Sequence, residues 1–368
     1  MHIVSFDVPY PADYGGAIDV YYKIKALHER GVQIILHCFE YGRKPSDELT
    51  KLCSKVYYYK RSMSVLNLFQ KMPFIVGTRS SSELIQRLSQ DEFPIFFEGL
   101  HSCFYLNHPT LQHRKRIVRT HNIEHDYYLN LSKAEQRFFQ RIYLSWEARK
   151  LKRFERTLAK ASGIASISTN DKNHFCKINS NTQVVSAFHQ NTCVTSIAGK
   201  GNFVLYHGNL GVAENYDAAI YLIKEVFEKS KHKLVIAGNH APEQLKSLCE
   251  KYSNIQLLEN IDTDEIIQLI KDAQLNILVT KQATGIKLKL LAALFNGRFC
   301  VVNNEMVVDT GLEKYCLIGN NAAELRQLLD TYMSKEFGDS DLQKRKELEN
   351  STFSNSYNVE ILIQLLFS

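Results

Sequence analysis

The chain has 368 residues, 45% of them hydrophobic and 23% charged, which suits a globular protein with room for two separate cores. No apolar run of about 18 residues occurs, which excludes a transmembrane helix. Charge is unevenly shared: residues 1–200 hold 28 Lys and Arg against 17 Asp and Glu, residues 201–368 hold 17 against 22, and the balances of +11 and −5 make the net +6.

A basic first half suggests an anionic partner, either a membrane surface or nucleic acid. The stretch HRKRIVR (113–119) would fit the latter, but no helix-turn-helix, RNP or zinc pattern supports it, so no nucleic-acid partner is expected. The eight cysteines form no CxxC pair and read as reduced core thiols. The opening MHIVSFDVPYP runs straight into a strand and lacks the regions of a signal peptide, so a cytoplasmic protein is expected.

In chain order, Ile3–Val8, Gln33–Phe39, Val56–Tyr59, Pro94–Phe97, Arg116–Thr120, Ile164–Ser168 and Val184–Phe188 are strand candidates. Helices are expected at 16–30, 80–90 and, longest of all, 130–160. The second half repeats the alternation. Strands are expected at Phe203–Gly208, Lys233–Gly238, Ile255–Leu258, Leu275–Thr280, Phe299–Asn303 and Cys316–Ile318, with helices near 214–230, 242–252, 263–273, 286–296 and 321–333. Such alternation calls for parallel, doubly wound sheets with right-handed crossovers, whose ligands bind beyond the strand ends. The polar segment around His189–Gly201 would separate the two domains, and 356–367 reads as a final apolar helix.

Four stretches carry possible chemistry. In PADYGGA (11–17), the paired Gly15 and Gly16 let the backbone approach a ligand and open a helix N-terminus toward it, although a tight structural turn is their commoner meaning. Asp13 in the same loop would meet an acceptor hydroxyl. RTHNIEHDY (119–127) follows a strand, which puts His121 at a ligand cleft, able to donate or accept near neutral pH. Glu124 and His125 are alternates, and the rival reading has Asn122 or Glu124 capping the next helix. His121 and His125 have no third ligand nearby in sequence, so no metal site is expected. In YHGNLGVAEN (206–215), Gly208 and Asn209 would present amides to a phosphate, or simply turn the chain. Last, LNILVTKQATGIKLKLLAALFNGRFCVVN (275–303) reads as strand, glycine turn, helix and strand, with Gly297 ending the helix. Unpaired amides at that helix start, with Lys281, Lys287 and Lys289, make a candidate phosphate site, unless the lysines are just a solvated helix face.

The string TGIKLKLLAALFNGRFCVVN resembles the nucleotide-sugar signature of GT-B glycosyltransferases, in the branch akin to glycosyltransferase family 4, and HNIEH resembles a histidine loop of bacterial relatives. The resemblance implies two Rossmann-like domains facing a cleft: 1–190 on the acceptor side, 201–350 holding the donor, and 351–368 crossing back to the first domain. It implies transfer of a sugar from a nucleoside-diphosphate sugar to a hydroxyl acceptor, with retention, no metal and no cofactor. The donor's diphosphate and ribose would lie at Thr284, Gly285, Ile286 and the lysines, with Gly15 and Gly16 facing phosphate or acceptor. The sequence also departs from the family. The diphosphate-clamping Arg and Lys of the G-R-L…K-N segment are replaced by Asn209 and Glu214, and the paired glutamates by Thr284 and Ala292. Those losses favour a non-catalytic subunit as the rival, and a sugar-nucleotide epimerase shares the architecture. Two stretches suit a peripheral membrane contact or, equally, core helices: Ser64–Val76, with Leu66 and Phe69, and the basic, apolar 133–160.

Overall fold

The computed structural model describes residues 1–64, 68, 70–281 and 287–368. The chain divides into two compact units, Met1–Gln190 with Thr352–Ser368, and Asn191–Ser351.

The first unit is built on seven strands: β1 (His2–Ser5), β2 (Ile35–Glu40), β3 (Lys55–Lys60), β4 (Ile95–Glu98), β5 (Arg116–Thr120), β6 (Gly163–Ser166) and β7 (Thr182–Val184). Their order is β3-β2-β1-β4-β5-β6-β7, with every neighbour parallel. Between them run α1 (Gly15–Glu29), α2 (Asp47–Leu52), α3 (Ser82–Leu88), α4 (Glu124–Ala134), α5 (Phe138–Glu155) and α6 (Thr169–Phe175). Because strand side chains alternate, Ile3, Phe96 and Ile117 join one core with Val20, Ile24 and Leu27 of α1 and Val359 and Leu362 of the C-terminal helix Asn355–Phe367. Their neighbours Val4, Phe97 and Val118 join a second core with Leu84, Leu88, Leu151 and Phe175. Burial on both faces explains the adjacent apolar pairs Ile3–Val4, Phe96–Phe97 and Ile117–Val118 at the centre of these strands.

The second unit has six parallel strands in the order β10-β9-β8-β11-β12-β13. They are β8 (Val204–His207), β9 (Leu234–Ala237), β10 (Ile255–Leu258), β11 (Leu275–Leu278), β12 (Phe299–Val302) and β13 (Leu317–Ile318). Helices α7 (Ala213–Tyr221), α8 (Glu243–Cys249), α9 (Thr263–Asp272), α10 (Leu288–Asn296), α11 (Ala322–Tyr332) and α12 (Asp339–Lys346) accompany them. The turn of π-helix Leu222–Phe227 extends α7. Gly238 is fixed by close approach: a Cβ there would lie 1.8 Å from the Gly208 carbonyl oxygen, where the loops after β8 and β9 touch.

Two expectations are corrected. The long helix over 130–160 is two helices, broken at 135–137, where the Glu135 carboxylate accepts the Arg137 amide at 2.9 Å and takes it out of helical pairing. The strand expected to reach Phe188 leaves the sheet after Val184. Buried charges take its backbone: Arg119 donates to the Val185 and Ser186 carbonyls, and the Phe188 amide donates to Asp19 at 2.8 Å. Gly297 ends α10, as expected, at φ −95°. What requires glycine there is space, since a Cβ would meet Asn276 Nδ2 at 2.3 Å.

Candidate functional site

In each unit the strand order reverses at one place, between β1 and β4 in the first and between β8 and β11 in the second, and such a reversal opens a crevice at the strand ends.

In the first unit, α1 starts at Gly15 with Tyr14 at the cap and no side-chain cap bond. A Cβ on Gly16 would meet the Phe6 ring at 2.8 Å, so glycine lets the helix start close over β1. Gly99, just past β4, adopts φ +70° beside Phe6, His101 and His121. The Phe6 ring lies 5.4 Å edge-on to His121 and 5.6 Å from His101. Beneath them lies a buried charge network. Lys23 Nζ donates to Asp19 Oδ2 (2.9 Å) and to both Glu98 oxygens (2.7 and 2.9 Å), and Arg119 binds Asp19 through Nε and Nη2 (3.1 and 3.0 Å). Burial alone would raise the Asp19 and Glu98 carboxyls, but Arg119 and Lys23 hold the first, and Lys23 the second, below the ordinary carboxylate range. His121 sits on this frame, its Nε2 3.3 Å from Glu98 Oε2 and its Nδ1 3.7 Å from Asp19 Oδ2. Two carboxylates balance two fixed cations, so the imidazole is held in place on a neutral frame.

Glu124 is buried in the first turn of α4, and Ile123, not Glu124 or Asn122, occupies the cap position, without a side-chain cap bond. Burial, then the neighbouring Glu155 carboxylate, pushes the Glu124 carboxyl up to about 8. His101 Nδ1 stands 3.9 Å from Glu124 Oε1 and has no hydrogen-bond partner among the described residues. Asp13 lies apart from this group in an exposed ion pair with Arg43 at 2.7 Å.

In the second unit a cavity of about 390 Å³ opens at the strand ends, lined by Glu214, Asp217 and Tyr221 of α7, by Thr280 and Lys281 after β11, and by Asn303 and Asn320 after β12 and β13. The Thr280 hydroxyl donates to Glu214, and Lys287, which precedes α10, places Nζ 3.5 Å from the same carboxylate oxygen. Lys289 donates to Asn215 Oδ1 at 2.8 Å and lies 5.6 Å over the Tyr206 ring. Burial, opposed by Glu214 and reinforced by Lys287, pulls the Lys289 ammonium down to about 8. Beside it His207 is buried and its imidazole is lowered to about 3, first by burial and then by Lys289, with Nε2 unpartnered among the described residues. Asn209 braces its own loop, its Oδ1 accepting Gly211 N and its carbonyl accepting Asn215 Nδ2, and a Cβ on Gly208 would stand 3.2 Å from the Asn215 side chain. Ala292 packs against the core around Leu205 and Val235. Thr284, Gly285 and Ile286, like Leu66 and Phe69, lie outside the described residues.

The structure therefore gathers His121 with Gly16 in one unit, and Gly208, Asn209, Lys287 and Lys289 around Glu214 and Asn215 in the other. Sequence reasoning missed Asp19, Lys23, Glu98 and His101. Only the four-residue spacing of Asp19 and Lys23 hinted at an ion pair within α1. It also overlooked the histidines' third partners, which come from distant segments: Asp19 and Glu98 for His121, and Glu155 and His174 for His125.

Two doubly wound parallel sheets in a single chain, each with its crevice at the switch point, make this a protein of the GT-B fold. Residues 201–334, all within the second unit, match the family model Glycosyl transferases group 1. Over 320 residues the chain is 27% identical to an "Uncharacterized 44.6 kDa protein in cps region" of Klebsiella pneumoniae, covering 81% of each protein. Anabaena Alr3699/HepE in complex with UDP and glucose aligns with a TM-score of 0.65 at 12% identity, covering 100% of this chain and 99% of that one. A glycosyltransferase from Rickettsia africae ESF-5 aligns at 0.64 and 13%, with the same coverage. At such identities the structural likeness establishes the fold.

Proposed function

We propose that the protein is a glycosyltransferase that moves a sugar from a nucleoside-diphosphate sugar to a hydroxyl acceptor, a saccharide or lipid-linked intermediate of a surface polysaccharide. The observation that carries this reading is the second unit's cavity, where Lys281 lines the wall and Lys287 and Lys289 converge on Glu214 and Asn215 at the strand ends. Lys289 in particular is a half-buried ammonium whose hydrogen-bond acceptor among the described residues is a neutral amide, so an incoming phosphate would stabilise the charge that burial disfavours. The UDP and glucose held by Anabaena HepE support a nucleotide sugar as the ligand class, and the cps-region relative supports a polysaccharide product.

In this reading Lys281, Lys287 and Lys289, with the Gly208 and Asn209 backbone and Thr284–Ile286, take the diphosphate. His121, on its carboxylate frame, orients the sugar or handles the acceptor's proton. Gly15 and Gly16 present helix amides, and Asp13 and Glu124 face the acceptor. Because lysines carry the leaving-group charge, transfer proceeds without a metal and, as in the family resembled, with retention; the anomeric signal of the product by NMR tests the stereochemistry. Among the described residues no helix is long and apolar enough to cross a membrane. The α4–α5 hairpin instead exposes Phe138, Phe139 and Ile142 beside Arg137 and Arg141, a composition suited to peripheral contact with anionic lipid.

A panel of nucleoside diphosphates and their sugars, screened by thermal shift on the full chain, tests the reading. At least one is expected to raise the melting temperature, and Lys287→Ala to abolish that rise. A panel without effect sinks it. Ala292 in the core and a carboxylate at Glu214 favour a second reading, a subunit that binds a nucleotide sugar without turnover, and product analysis with acceptor present separates the two.

A further inference from the structure

Two clusters of metal-ligating side chains lie in the first unit, and they differ in one respect. In the Asp19–Glu98–His121 cluster the place of a cation is already taken, because Lys23 Nζ bonds both carboxylates and Arg119 binds Asp19. In the second cluster, His125–Glu155–His174, no lysine or arginine ion pair to Glu155 is found among the described residues.

We propose that His125, Glu155 and His174 form a structural site for a divalent transition-metal ion, with zinc the best match. His125 is the second residue of α4, Glu155 the last of α5 and His174 the last but one of α6, so the cluster ties three helix ends together. Glu155 is buried, and each of its oxygens meets one imidazole: Oε2 lies 3.0 Å from His125 Nδ1 and Oε1 lies 2.6 Å from His174 Nε2. One ligand atom from each residue lies within 4.8 Å of the others. Two imidazole nitrogens and a carboxylate are a zinc ligand set, and the part-exposed His174 leaves a side open for water as the fourth ligand. The remaining ring nitrogen of His125, Nε2, stands 3.5 Å from Asp126 Oδ1, the kind of carboxylate that fixes a metal-bound imidazole.

Proton accounting closes. Without metal, each imidazole donates an N–H to Glu155. On binding, each of those nitrogens supplies a lone pair, so the His125 proton moves to Nε2, facing Asp126, and the His174 proton to Nδ1. An imidazole that was cationic releases its extra proton to solvent. The bound ion would pin the first turn of α4, which carries Glu124 and follows His121. It takes no part in the transfer step, so this inference and the proposed function fail independently.

The test uses the tag-free full chain, stripped with a chelator and titrated with Zn²⁺ under calorimetry and thermal melting, and with Co²⁺ under visible absorption. One equivalent of Zn²⁺ is expected to bind and raise the melting temperature. Co²⁺ should give ligand-field bands without thiolate charge transfer. His174→Ala should weaken zinc binding at least tenfold, while Cys176→Ser, which removes the exposed thiol two residues away, should leave it unchanged. Absence of a bound equivalent overturns the site, as does unaltered binding in His174→Ala. So does a thiolate band in the wild-type cobalt spectrum, a readout that stands even if His174→Ala fails to fold.

Discussion

The two switch points of this protein handle charge in opposite ways. In the first unit Asp19, Glu98, Lys23 and Arg119 cancel one another in the interior, and the imidazole of His121 rests on a neutral frame. In the second, Lys281 lines the cavity with Glu214 and Asp217, Lys287 faces Glu214, and Lys289 is half-buried with the neutral Asn215 amide as its acceptor among the described residues. A neutralised frame orients an uncharged ligand without demanding charge from it. A buried ammonium, by contrast, is relieved by an anion. On the proposed function, this contrast suits the hydroxyl acceptor to the first unit and the diphosphate to the second.

The comparison breaks most visibly at Arg119. Arg119→Met leaves Asp19 buried with Lys23 as its remaining cation partner in the network, and frees the Val185 and Ser186 carbonyls that the guanidinium holds. Breaking a buried pair by removing one partner costs about 3–5 kcal/mol, which urea unfolding reads directly. An unchanged midpoint would mean that the network is not structural. The matching change in the second unit, Lys289→Met, removes an unfavourable burial and is expected to leave stability level or raised.

What Lys289→Met should lose is anion binding. A hydrogen bond to a charged group contributes roughly 1.5–3 kcal/mol, so UDP affinity by calorimetry should fall about tenfold or more. Its pH dependence sharpens the point. The Lys289 pKa is lowered in the folded state from the ordinary 10.5 to about 8. Below pH 8 both states are protonated and the folded protein carries the full burial penalty. As pH rises from 8 toward 10.5 the folded state sheds its proton first, the unfolded state binds more protons, and stability rises. UDP affinity should move the other way, weakening above pH 8 as the charge is lost, and Lys289→Met should flatten both profiles. A wild-type affinity constant from pH 7 to 9.5 would remove Lys289 from the donor site.

The strand-and-helix alternation was legible because strands covered on both faces become nearly continuous apolar runs, as in Phe299–Val302 and, broken only by Asn276, Leu275–Leu278. The lysines near α10 were legible because they cluster in sequence. Asp19, Lys23 and Glu98 were not: their partners are set by strand order, and a lysine within α1 reads as a surface residue until Glu98 is seen to reach it from a strand 75 residues away. The break in the helix over 130–160 escaped for a similar reason. Nothing in EQR (135–137) announces a stop, and the Glu135 carboxylate that captures the Arg137 amide is otherwise an ordinary helix former.

The smallest expected effect tests the one acid whose position runs against the family resembled. Glu214 stands where a diphosphate-clamping lysine is expected, yet it accepts the Thr280 hydroxyl and faces Lys287 at 3.5 Å. Glu214→Gln keeps an oxygen for Thr280 while removing the negative charge. At about 4 Å and an effective dielectric of 20, two unit charges interact by about 4 kcal/mol. Part-exposure of both side chains and salt reduce that to about 1 kcal/mol or less, so UDP should bind a few-fold more tightly, with the gain shrinking as ionic strength rises. Weaker binding in Glu214→Gln would carry the opposite message: the carboxylate itself would touch the ligand, as a ribose hydroxyl requires, and would stand in for the glutamate that Ala292 has replaced.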